Sequence, residues 1–340
     1  MEGMRLSVLD QSPISEGSTG ADALANTIDL ARHCEALGYH RYWLAEHHGG
    51  PMLAGPSPEV LIPAVAGATS TMRIGSGGVM LPHYSPFKVA ESFSLLSGLF
   101  PDRIDLGIGR AAGTDPMTTF ALQRDRRTAS PDDFPEQLAE LLAHYDGGFP
   151  DNHPFARLGR SLPGAPHQPE IWLLGSSAQS AIWAGQLGLP YALADFINPE
   201  GAANAELYRE RFEPSGRLKT QRTAVAVWAI CAETDEEAER LAASGRMTFT
   251  LLRQGRLIAV PPPEKALRFI TSTEGVNRRG VIGSPETVRA GIETIASAYG
   301  AEEVIVVTIT YDHGARRRSY ELIADAFGVE PPAEAAVHAG

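Results

Sequence analysis

Four clusters in the 340-residue chain combine residue types and spacings that could do chemistry. The first is Ala45-Glu46-His47-His48-Gly49-Gly50, a carboxylate and two imidazoles in succession. Neighbouring residues of a strand point to opposite faces, so His47 and His48 are not expected to share a metal ion. None of the other histidines completes a ligand spacing with them, and no metal is expected. If His47 enters a cavity, an imidazole with a carboxylate beside it is acid/base equipment; if not, it is a loop histidine satisfied by backbone. The second cluster, Arg73-Ile74-Gly75-Ser76-Gly77-Gly78-Val79, places three glycines inside a strand. That marks either a bend or a stretch of bare backbone on which a flat ring system could lie.

The third cluster runs Gly107-Ile108-Gly109-Arg110-Ala111-Ala112-Gly113. Its spacing is G-x-G-x-x-x-G, one residue longer than a dinucleotide loop, and no acidic residue closes a strand about 20 residues later, so a nicotinamide site is not expected. Arg110 at a strand's end reads instead as a fixed cation whose guanidinium forks around an anion such as phosphate. The fourth is Gly175-Ser176-Ser177-Ala178-Gln179-Ser180, where a strand gives way to a helix. Free backbone N–H groups, the helix dipole and three hydroxyls make an anion site; ordinary N-capping by Ser176 or Ser177 is the alternative. Arg110 on the adjacent strand favours phosphate.

Elements must hold these clusters in one place. Short apolar, β-branched runs predict strands at 4–9, 40–46, 73–79, 103–108, 170–175, 189–194, 222–230 and 303–309. Between them, Leu24, Ile28, Ala31 and Cys34, then Val89, Phe93, Leu96 and Phe100, then Val288, Ile292, Ile295 and Tyr299 recur at helical spacing. Ser57-Pro58, Ser85-Pro86 and Ser284-Pro285 predict helix starts, with a capping hydroxyl before a first-turn proline. Gly38, Gly188 and Gly300 predict left-handed stops. Eight strands alternating with helices predict a single (β/α)8 TIM barrel over 1–340, which puts the clusters at the C-terminal ends of its strands. Segments 111–169 and 245–283, after strands 4 and 7, exceed a minimal barrel and read as insertions or lids that line the substrate site. The tail 330–340 reads as frayed.

Composition removes several classes. With 29 Lys+Arg against 41 Asp+Glu the formal charge is −12, which excludes nucleic acid as the main partner. Lys88, Lys219 and Lys265 are the only lysines, a bias of composition and not a phosphate-binding patch. No apolar run reaches the ~20 residues of a membrane helix, and the N-terminus has no signal-peptide pattern. Cys34 and Cys231 both lie in apolar stretches, so a disulfide is not expected and a reducing cytoplasm is.

Taken together, AEHH (45–48), PSPEVL (56–61), RIGSGGVMLPHYSP (73–86), LFPDRIDLGIGR (99–110), WLLGSSAQSAIWAGQLGLP (172–190) and VIGSPETV (281–288) resemble the bacterial luciferase family of flavin-dependent monooxygenases, in one order along nearly the whole chain. The resemblance implies a barrel binding reduced FMN at its mouth, where FMNH2 and O2 oxygenate a small organic substrate, aldehyde-like or other. It implies a phosphate pocket from Arg110, Gly175, Ser176, Ser177 and Ser180, a cis peptide at Gly77-Gly78 under the isoalloxazine, Glu46 against the flavin, and His47 as the catalytic histidine. It also implies a homodimer through helices near 58–71 and 86–99, and the lack of a nicotinamide site makes a separate flavin reductase the expected source of FMNH2. A serine at 176, a glycine at 109 and Asp195 after the sixth strand depart from light-emitting luciferases and argue against long-chain aldehyde and light. The alternatives are hydride transfer from a reduced deazaflavin and a non-catalytic flavin-binding relative.

Overall fold

Nine parallel strands follow the chain in the computed structural model, which describes residues 3–110, 115–123, 133–198, 200–273 and 276–332. They are β1 (Arg5–Asp10), β2 (Arg41–Leu44), β3 (Arg73–Met80), β4 (Ile104–Gly109), β5 (Glu170–Gly175), β6 (Tyr191–Ala194), β7 (Thr223–Cys231), β8 (Val281–Gly283) and β9 (Glu303–Val307). β1 to β7 pair in sequence order, and β9 joins β7 to β1. The result is a closed eight-stranded TIM barrel with helices between its strands, as expected. β8 is additional: its three residues pair only with the end of β7 and take no part in the closure. Three residues carry no alternation to read, so no strand is legible there from the sequence.

Parity explains the composition of the strands. Tyr42, Leu44, Leu106 and Ile108 pack outward against helices, while Trp43, Trp172, Trp228 and Ile305 fill the barrel. Trp43 and Trp172 meet edge to face with ring centroids 5.4 Å apart. The glycines of β3 and β4 make this possible. A Cβ at Gly77 would stand 2.9 Å from Trp43 Cβ, and one at Gly107 would stand 2.2 Å from the carbonyl oxygen of Ser76. Tight packing alone therefore demands glycine at both positions.

Near the N-terminal end, inside the barrel, Arg41 is fully buried. Its Nη1 donates to Asp105 Oδ2 at 2.6 Å and its Nε to Glu303 Oε1 at 2.6 Å, and its guanidinium lies over the Trp172 ring at 4.8 Å. Trp43 Nε1 and Arg73 also donate to Asp105. Every charge there has a partner, which a dry interior requires.

Helix limits follow the sequence signals with one correction. Helices Pro58–Gly67, Pro86–Leu99 and Pro285–Tyr299 each start at the proline after the expected serine, yet none of the three hydroxyls caps its helix. Ser284 Oγ turns instead to Thr287 Oγ1 at 3.2 Å. Gly38, Gly188 and Gly300 adopt positive φ as expected. Both cysteines are buried free thiols. Segment 111–169 holds helices Pro116–Leu122, Phe134–Asp146 and Ala156–Gly159. Residues 111–114 and 124–132 of it, residues 274–275 of the segment 245–283, and the tail from 333 lie outside the described residues. No described helix is long and apolar enough to cross a membrane.

Candidate active site

At the C-terminal ends of the strands a cavity of about 610 Å³ opens, a size that suits a small organic ligand. Its wall takes Gln11 from the end of β1, His47 and His48 from beyond β2, Phe196 from beyond β6 and Ile309 from beyond β9. Segment 245–283 adds Thr248, Phe249, Leu252, Leu257 and Arg278; among the described residues, 111–169 adds Asp115. A second hollow, of about 430 Å³, sits at the N-terminal end of β5 among paired charges such as Arg222 and Glu170, the face of a barrel that serves stability.

The stretch 45–48 requires a correction. β2 ends at Leu44, so Glu46, His47 and His48 have left the strand and the opposite-faces rule does not apply to them. Both imidazoles line the cavity. His47 is held through its backbone N–H, which donates to Gly55 O at 2.9 Å, while its Nδ1 is buried without a partner. Burial, and then the neighbouring His48, push its pKa from 6.5 down to about 4. The ring is therefore neutral at neutral pH, not poised near 6.5 as an unperturbed histidine would be.

Glu46 is fully buried. Its Oε2 accepts from Met80 N at 2.9 Å and its Oε1 lies 2.7 Å from His48 Nε2. It thus ties the turn after β2 to the end of β3. His83, in the short turn Leu81–His83, stacks edge-on against His48 with centroids 5.7 Å apart, and donor atoms of Glu46, His48 and His83 all lie within 4.8 Å of one another. His83 is not legible as a partner from spacing along the chain, because 35 positions separate it from His48.

In β3, next to β2, the peptide joining Gly77 and Gly78 is cis. A Cβ at Gly78 would lie 2.5 Å from Leu174 Cδ1 and 2.8 Å from Gly107 O. Arg110, the residue after β4, is exposed and lies 5.7 Å from the Trp183 ring centroid. Trp183 belongs to helix Ala178–Gln186, whose N-cap is Ser177. Ser177 Oγ accepts from Ser180 N at 3.3 Å, and Ser180 Oγ lies 2.8 Å from Tyr191 Oη. Ser176 O accepts from the side-chain amides of Asn198 and Asn204 at 2.7 and 3.1 Å. Gly175 is obligatory, because a Cβ there would lie 2.2 Å from Ser180 Oγ. Arg110 and the serine helix start are thus brought to one side of the mouth, and His47 with the cavity to the other. The capping alternative is realised: Ser177 Oγ accepts from Ser180 N and Ser180 Oγ accepts from Ser177 N, a reciprocal capping box.

Asp195, where the sixth strand ends, is buried and bidentate to Arg279, with Nε–Oδ2 2.7 Å and Nη2–Oδ1 2.8 Å. Arg278 beside it turns inward to the cavity wall. Sequence reading missed Arg278; the available signal was a pair of arginines in an otherwise polar run.

A profile of luciferase-like monooxygenases matches residues 4–302. The chain is 41% identical to an Escherichia coli protein named luciferase-like monooxygenase, covering 94% of this chain and 96% of that one. It is 40% identical to an N-acetyl-S-alkylcysteine monooxygenase of Bacillus subtilis, covering 95% and 98%. Among solved structures, apo-MsnO8 superimposes with a TM-score of 0.87 at 41% identity, covering 96% and 98%. The oxygenating constituent of a 3,6-diketocamphane monooxygenase from Pseudomonas putida, in complex with FMN, gives 0.72 at 22%, covering 95% and 97%. An F420-dependent secondary alcohol dehydrogenase gives 0.62 at 15%, covering 96% and 98%. These last two share the fold. With a family profile over most of its length and relatives at about two-fifths identity end to end, the chain belongs to the luciferase-like monooxygenase family.

Proposed function

We propose that this protein is a reduced-FMN-dependent monooxygenase that inserts one atom of O2 into a small organic substrate and releases the other as water. The observation that carries the reading is the division of the barrel mouth. A cation and a helix start suited to a phosphate lie on one side, and a largely apolar cavity with a neutral imidazole lies on the other. Arg110, Ser176, Ser177 and Ser180 would hold the flavin phosphate, with Gly175 allowing the turn. Gly77 and Gly78 would lie under the flavin ring, although packing against Trp43 and Leu174 by itself already requires glycine at both positions. Reduced FMN bound there would supply the electrons that activate O2. Glu46 fixes the turn that carries His47, and His47, with one nitrogen free, can hold or hand on a proton at the cavity edge. Leu252, Leu257 and Ile309 exclude water.

A separate flavin reductase would deliver the reduced cofactor, since no dinucleotide loop is present in the sequence. A homodimer through helices Pro58–Gly67 and Pro86–Leu99 is supported by Val60, Leu95 and Leu99, apolar side chains 72%, 52% and 60% exposed there. The relative acting on N-acetyl-S-alkylcysteines makes a thioether a reasonable first substrate to assay.

Two measurements test the reading. FMN should bind at least about tenfold more tightly than riboflavin, and Arg110→Ala should remove most of that preference. Chemically reduced FMN added to the protein should consume O2 with substrate-dependent product formation. Equal affinity for FMN and riboflavin, or turnover with a reduced deazaflavin in place of FMNH2, overturns it.

A further inference from the structure

Two adjacent arginines at the rim of the cavity are treated in opposite ways. Arg279 is bidentate to Asp195, which also accepts from Tyr299 Oη at 3.0 Å. Arg278 has no such partner. Its side chain is 9% exposed, its guanidinium lies 4.3 Å from the Trp228 ring centroid and 5.2 Å from that of Phe249, and its Nε is buried with no acceptor. Among the described residues no carboxylate comes within ion-pair distance of it. Burial alone, unopposed by any neighbouring carboxylate, pushes its pKa down.

A buried guanidinium without a counter-charge is costly, and aromatic faces offset only part of that cost. Among the described residues, every other buried arginine has its carboxylate: Arg41 has Asp105 and Glu303, and Arg316 has Asp10. Arg278 alone lines the cavity. The remaining half of the pair is therefore to be sought in the ligand. Among the described residues the wall also carries Leu53, Leu252, Leu257 and Ile309. A single guanidinium without a carboxylate partner suits a monoanion better than a phosphate dianion. The wide apolar wall suits a hydrocarbon tail.

We propose that the cavity binds an amphiphilic carboxylic acid, with its carboxylate held by the fork of Arg278 and its apolar body against Leu53, Leu252 and Leu257. Arg278 is then the residue that selects the substrate class. This rests on the reading of the cavity as the substrate side of the mouth. The pairing Asp195–Arg279 positions it, by fixing the next residue of the same segment.

The test is calorimetric titration of the full-length protein, with and without saturating FMN. The probes are octanoate, phenylbutyrate and N-acetylleucine, each beside its primary amide. At least one acid should bind about tenfold or more tightly than its amide, the range of a charge-assisted hydrogen bond. Arg278→Gln should abolish the preference, and Arg278→Lys should retain part of it, which guards against a variant that merely folds badly. Arg278→Met should melt no lower than the parent, because it removes an unpaired buried charge. The proposal is overturned if no acid outbinds its amide, if the preference survives Arg278→Gln, or if Arg278→Gln weakens FMN binding and leaves the preference intact. Failure to bind FMN at all would instead sink the monooxygenase reading, while the acid-over-amide comparison in the flavin-free titration would still decide this one.

Discussion

His47 offers the sharpest quantitative test, because its environment shifts both stability and chemistry in a known direction. Its pKa falls from 6.5 to about 4 in the folded protein, through burial first and His48 second. Between those values the unfolded chain binds a proton that the folded one refuses. Stability contributed by the neutral ring is therefore complete above pH 6.5 and is lost as pH falls towards 4. A shift of that size corresponds to roughly 3 kcal/mol at most. The ring keeps one edge on the cavity, where water screens, so the expected loss is about 1–3 kcal/mol. His47→Gln retains a hydrogen-bonding side chain and removes the titration. Urea unfolding of both proteins at pH 7 and pH 4.5 should show the variant losing less stability on acidification, by about 1–3 kcal/mol. Other acid-sensitive pairs cancel in that difference. Turnover should agree: the acid limb of kcat/KM should fall well below pH 6.5, and His47→Ala should slow turnover by about 10²–10⁴-fold with little change in FMN affinity. Parallel pH dependence of parent and variant would refute the argument.

Two further outcomes follow from the barrel interior. Asp105→Asn removes a carboxylate that serves Arg41, Arg73 and Trp43, and should destabilise by about 3–5 kcal/mol, seen as a melting point lower by roughly 10 °C. Those same donors hold the Asp105 carboxyl below the usual carboxylate range, so its stabilisation should persist through neutral pH and fade only in strong acid. Gly78→Ala drives a methyl against Leu174 and the carbonyl of Gly107, at an expected cost of about 1–3 kcal/mol. Adding Leu174→Ala should recover only part of it, because the backbone oxygen cannot retreat; full recovery in denaturant titration would show that Gly107 O is not a hard wall.

The barrel was legible because its signals are local and repeated. A buried parallel strand such as TAVAVWAIC reads as one without its neighbours, and a proline after serine or a glycine after an apolar helix marks a boundary through the backbone alone. Where a boundary depended on a side chain's choice of partner, reading failed. Ser57, Ser85 and Ser284 occupy cap positions without capping, and the Ser284 hydroxyl turns to Thr287 instead. β2 stops at Leu44, earlier than its apolar pattern suggests, because Ala45 still bonds to Asp10 O but the chain then turns towards Gly55.

The site divides along the same line. The places of Arg110 and Ser176 to Ser180 at the ends of β4 and β5 were readable because each stretch is complete within a few residues. The cavity was not, because its chemistry arises between elements distant in sequence. Glu46 meets Met80 across two strand ends, His48 meets His83, and Arg278 lines the wall next to Arg279, which pairs with Asp195 84 positions before it. The glycines show the converse error. In a strand they suggest room for a ligand, yet at Gly77 and Gly107 the volume of a Cβ is already claimed by Trp43 and by the Ser76 carbonyl. A glycine in a barrel strand therefore supports a ligand reading only after the protein's own claims on that volume are counted. In this chain the unpaired guanidinium of Arg278 passes that count, because no described carboxylate satisfies it.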